Sequence, residues 1–95
     1  MTGFTEFIPI NLKAIFTNVN LLEQKITVDV TYKGGAIVAL KFDLLEGNYN
    51  QEGSFDEIKH LEEFGIDKEY IINRIKQYLD FIVKNNISDP DVLNI

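Results

Sequence analysis

The sequence predicts an α+β domain: a three-stranded antiparallel sheet followed by two helices packed on one face, in the order β-β-β-α-α. Two observations lead there. Residues 25–44 alternate apolar and polar side chains around a Gly-Gly pair, the signature of a half-buried hairpin. Residues 54–86 change to helical spacing, in two stretches that each begin at a capping residue. Strands first and helices after them point to segregated layers.

Ile8, Ile10, Leu12, Ala14 and Phe16 alternate with Pro9, Asn11, Lys13, Ile15 and Thr17, which suggests a first strand. A short helix over Leu12 to Phe16 is the competing reading. Pro9 has no N–H to give a ladder, so it belongs at the start or on an edge. Asn18 to Glu23 is expected to turn into the next strand. There Ile26, Val28, Val30 and Tyr32 face one way and Thr27, Asp29 and Thr31 the other. Gly34-Gly35 supplies positive φ for a tight turn, after which Val38, Leu40, Phe42 and Leu44 resume the apolar face. Glu46 to Gly53 has two Gly, two Asn and no period, and reads as a loop.

Ser54 and Glu57 have the spacing of a capping box. The helix they open is expected to run to Phe64, with Phe55, Ile58, Leu61 and Phe64 inward and Gly65 as its left-handed stop. Asp67 caps the last helix, about Lys68 to Asn86, whose Ile71, Ile72, Ile75, Tyr78, Leu79, Ile82 and Val83 form one apolar face. Asn85-Asn86 and Ser88-Asp89-Pro90 end it.

With 95 residues, the chain has room for one hydrophobic core, so residues 1–95 are read as a single domain. There is no cysteine, hence neither disulfides nor thiolate chemistry. No signal-like or membrane-length apolar run occurs, so a cytoplasmic protein without membrane contact is expected. Abundant Ile, Asn and Lys with scarce Ala and a single Arg fit an AT-rich coding sequence of bacterial or phage type.

The net charge is −6, which opposes direct nucleic-acid binding. The excess is confined to one segment. Asp43 to Glu69 holds nine acids against Lys59 and Lys68, or −7, while the rest of the chain sums to +1.

Catalytic parts are scarce. His60 is the only histidine, and Ser54 and Ser88 are the only serines. Ser54 is spent on a cap, and Ser88, beside Asp89 in a turn, has no glycine-flanked elbow and no second histidine to activate it, so no enzyme activity is expected. Asp56, His60 and Glu63, spaced i, i+4, i+7, could ligate a divalent metal only weakly from an exposed helix face. Asn48-x-Asn50-x-Glu52-Gly53 echoes half a calcium loop, but its twelfth position is Lys59 rather than a bidentate Glu. Neither a metal nor another cofactor is therefore expected. Tyr70 and Phe81, flanking Arg74, are read as core packing or as a contact patch.

The function this leaves is a small acidic, non-catalytic binding domain, whose sharpest form is an inhibitor or decoy for a basic, nucleic-acid-binding surface of a partner protein. Its expected contacts are Glu46, Tyr49, Glu52, Asp56, Glu57, Glu62 and Glu63. A solubilising role for the same charge is the plain alternative. Two further alternatives are a structural protomer of a homo-oligomer or phage particle, using an exposed strand edge, and a metal-dependent enzyme built on His60.

Overall fold

The hairpin of residues 25–43 is the centre of the molecule. The computed structural model describes residues 11–95, so Ile8, Pro9 and Ile10 of the expected first strand lie outside the described residues. Within them, β1 (Leu12–Asn20), β2 (Lys25–Tyr32), β3 (Gly35–Asp43) and β4 (Asn48–Gly53) form an antiparallel meander. A two-residue β5, Leu93–Asn94, pairs with β1, giving the order β4-β3-β2-β1-β5. Leu12 to Phe16 is thus strand, not helix.

The expected three-stranded sheet with two α-helices is corrected on three points. First, residues 48–53 are an edge strand rather than a loop. Their composition argues against a strand, but β3 offers them a full row of backbone partners from Val38↔Gly53 to Asp43↔Asn48. Second, two residues near the C-terminal end add a fifth strand. Third, the first helix is a 3-10 helix, Asp56–Phe64, kinked at Ile58. The sequence carries the reason. Phe55, Ile58, Leu61 and Phe64 recur every third residue with no i+4 companion, a spacing that stays in line at 3.0 residues per turn and drifts at 3.6.

The turns follow their residues. In the β2–β3 hairpin the positive φ values fall on Lys33 (52°) and Gly34 (87°), one residue earlier than the Gly-Gly pair suggests. That is the two-residue loop that matches strand twist. At the opposite end of the sheet, Asn20 and Asp43 play equivalent parts. Asn20 Oδ1 accepts from the Glu23 N–H at 3.0 Å, and Asp43 Oδ1 from the Glu46 N–H at 3.1 Å. Each side chain closes the turn after its own strand.

Ser54 does not form the expected capping box. Its Oγ accepts the Asp56 N–H at 3.1 Å, and Phe55 occupies the cap position without a side-chain bond. The 3-10 turn is too tight for the reciprocal α-helical pattern. Its far end closes as expected. Gly65 has φ 81°, its N–H reaches the Glu62 carbonyl, and the Ile66 N–H reaches Leu61, which together make a Schellman cap.

The long helix, α1 (Lys68–Lys84), starts at Asp67, whose carboxylate accepts from the Tyr70 N–H at 2.8 Å. Asn86 (φ 53°) ends it in the same way as Gly65, with bonds from Asn86 to Val83 and from Ile87 to Ile82.

One core lies between the sheet and the helices. Ile26, Val28, Val30, Val38, Leu40 and Phe42 meet Ile58, Leu61, Ile71, Ile75, Leu79 and Ile82, all buried. Each such side chain removed from water contributes roughly 1.5–3 kcal/mol before entropy is counted. Helix α1 spans the sheet, since Tyr78 meets Phe16 of β1 edge-on at 5.2 Å and Lys76 lies 5.9 Å from the Tyr49 ring of β4. No helix among the described residues is long and apolar enough to cross a membrane.

Candidate functional site

The six carboxylates expected to make contact fall in three separate places. Glu46 sits in the β3–β4 turn and is exposed. Asp56 lies beyond the other end of β4, whose six residues span roughly 20 Å. Glu52 is between them, on the sheet face away from the helices, 3.7 Å from Lys41 Nζ. Asp56, Glu57, Glu62 and Glu63 share the 3-10 helix and are all exposed. The expected contact residues are therefore not one surface: the last four are together, and Glu46 is remote.

Tyr49, a contact residue in a loop on the sequence reading, lies in β4. It is half-buried, tilted against Phe42 at 5.3 Å, with the Lys76 ammonium over its ring. Its place in β4 turns it toward the core, where it closes the end of the helix layer.

Phe64 moves the other way. It belongs to the row of Ile58 and Leu61, which are 2% and 5% exposed, yet it is itself 72% exposed. The row runs past the core, and Gly65 turns the chain back before Phe64 can be covered. An uncovered phenyl thus stands directly beside Glu62 and Glu63. Spacing alone placed it inward; its position at the last turn before the Gly stop was the signal that it overhangs.

Among the described residues, none of the four carboxylates on the 3-10 helix has a Lys, Arg or His nitrogen within 4.0 Å; Lys41–Glu52 is the ion pair found there. Among the described residues these charges have no ion-pair partner, and the helix itself adds only Lys59 as a basic residue beside them. The resulting patch combines a strong local field with one desolvatable aromatic, the composition of a contact centre with a charged rim.

His60 contacts β2 rather than its acidic neighbours. Its Nε2 lies 3.3 Å from the Tyr32 hydroxyl, and the rings meet edge-on at 6.0 Å. His60 and Glu63 follow the kink at Ile58 and share a row at three residues per turn, while Asp56 precedes that kink. The expected common face of Asp56, His60 and Glu63 is lost, and no group of three potential ligands is found among the described residues.

Arg74 does not stand free between Tyr70 and Phe81. Its guanidinium donates to the Asn94 carbonyl at 3.1 Å and holds β5 against the fold. Phe81, half-exposed, stacks on Tyr78 at 5.9 Å and 10°.

The sheet face away from the helices carries a second polar feature. Strand register places Asn18, Thr27, Lys41 and Asn50 in one cross-strand row. The next row toward the turns is Asn20, Lys25, Asp43 and Asn48. Together they line a concavity of about 490 Å³. Compared with protein-family models, curated proteins and solved structures, the chain matches none, so its function rests on these residues alone.

Proposed function

We propose that the chain is a small non-catalytic binding domain whose 3-10 helix meets a basic surface of a partner protein, such as one that otherwise holds nucleic acid. The observation that carries this reading is the pairing of four exposed carboxylates, without an ion-pair partner among the described residues, with the overhanging ring of Phe64. Carboxylates steer a basic partner and fix orientation. The phenyl supplies burial at the centre of contact, where most binding energy resides. Glu52 and Glu46 extend the negative field without belonging to the contact core.

The test is capture from a low-GC bacterial lysate with the tagged chain, in low and high salt. It is run beside a variant carrying Glu57→Gln, Glu62→Gln, Glu63→Gln and Phe64→Ser. Supporting the reading requires a basic, nucleic-acid-handling protein that is captured at low salt and lost both at high salt and with the variant. Equal capture by the variant overturns it and leaves the charge as solubilising.

A second reading, a homo-oligomeric protomer, draws on β1. Beyond the two positions paired with β5, its outer edge has no neighbouring strand among the described residues, and Phe81 stands half-exposed nearby. An uncovered edge can pair with a second copy. Light scattering that gives the monomer mass at high concentration removes this reading.

A further inference from the structure

We propose that the polar concavity on the uncovered sheet face binds a neutral, polyhydroxylated ligand, a short oligosaccharide chain. This is independent of the acidic patch and uses none of its carboxylates.

The first argument is the cost of the residues found there. Asn is depleted in strands because its short amide competes for backbone bonds and packs poorly on a pleated surface. Here four Asn occupy strand positions at one end of one face, in two adjacent registers. Asn20 has a local purpose, closing its turn onto Glu23. Asn18, Asn48 and Asn50 have none. Among the described residues their amides make no side-chain hydrogen bond. Asn18 and Asn50 sit within their strands, where Thr or Val would serve the sheet better.

The second argument is the chemistry displayed. Each carboxamide offers two donors and an acceptor with two lone pairs, which matches a hydroxyl that both donates and accepts. Thr27 adds a hydroxyl to the same row, and Lys25 and Lys41 add donors. In a chain of net charge −6 the lining is neutral, since Lys25 and Lys41 balance Glu23 and Asp43. A neutral lining selects for hydrogen-bonding shape rather than for charge. Four strands at about 4.8 Å spacing give a ledge some 14 Å wide, longer than one sugar ring. Ile26 and Phe42 also border the concavity, but both are almost fully buried and offer a ligand little apolar surface. Binding rests on hydrogen bonds and lies on the order of millimolar.

The test is titration of the isotope-labelled full chain, observed by NMR at the Asn side-chain amides. The probes are neutral tetrasaccharides of α-linked glucose, β-linked glucose, mannose and N-acetylglucosamine; free glucose and glycerol form the second arm. At least one tetrasaccharide should give saturable shifts at Asn18, Asn48 and Asn50, with Asn73 and Asn85 of the helical side unmoved. Glucose and glycerol should be about tenfold weaker or worse. The double variant Asn18→Thr, Asn50→Thr should keep the fold, melt no lower than the parent, and lose the shifts. No saturable shift with any tetrasaccharide up to about 10 mM, an equal response to glycerol, or undiminished binding by the Thr variant would each overturn the proposal.

Discussion

Gly53, the last residue of β4, lies against the carbonyl oxygen of Ile37, the extra residue at which β3 bulges. Pairing jumps there from Val30↔Val38 to Thr31↔Ala36 and leaves Ile37 without a partner. A Cβ on Gly53 would run into that oxygen and come within 3.2 Å of the Val38 Cα, and the backbone φ is 99°. Gly53→Ala should therefore cost at least about 2 kcal/mol, from left-handed strain plus backbone displacement. Gly34→Ala, at φ 87° with nothing within 4 Å, has only the strain, about 1–2 kcal/mol. Urea unfolding of both variants checks the ranking; equal losses would show that the close approach is not tight.

Leu61 and Phe64 are consecutive members of one helical row with opposite fates. Leu61→Ala should destabilise by about 2–5 kcal/mol because it opens a cavity in the core. Phe64→Ser should stay within roughly 0.5 kcal/mol, as for an uncovered surface position. Thermal melts of the pair decide whether Phe64 overhangs the core.

The two helix starts differ in how they are capped. Asp67→Ala removes a 2.8 Å bond to the Tyr70 N–H and should lower stability by about 1 kcal/mol. Ser54→Ala removes only a local bond to Asp56 in a short exposed turn, and should change stability by less than about 0.5 kcal/mol. Calorimetric melting of the two variants measures the contrast.

Arg74→Ala should act locally. Its loss releases the Asn94 carbonyl, so amide exchange at Leu93 to Ile95 should accelerate while the β2–β3 ladder stays protected. Equal acceleration in both places would mean that β5 is part of the global unit.

The hairpin and α1 were legible because their patterns agree at every level. Ile26, Val28, Val30, Val38, Leu40 and Phe42 alternate without a break, and Asp67 and Asn86 cap a helix whose apolar face is continuous. β4 was not legible. Of its six residues, Tyr49 alone is apolar enough to mark a face, and what makes it a strand is the partner row on β3. The 3-10 helix was written plainly in its period of three, which an α-helical template reads as an imperfect stripe. Of the acidic segment, the charges were visible but not their separation, because a strand between Glu46 and Asp56 holds them apart where a loop would have let them gather.

Strand order carries a consequence for how the chain assembles. From β1 to β4 every sheet neighbour is also a sequence neighbour, so three hairpins can close one after another on the microsecond scale of such turns. β5 alone pairs across nearly the whole described length, Lys13 with Asn94, and must wait for the most improbable loop closure. It is therefore the last strand to join and the first to leave. The meander can breathe at that edge, freeing Lys13 and Ala14 of β1, without surrendering its core.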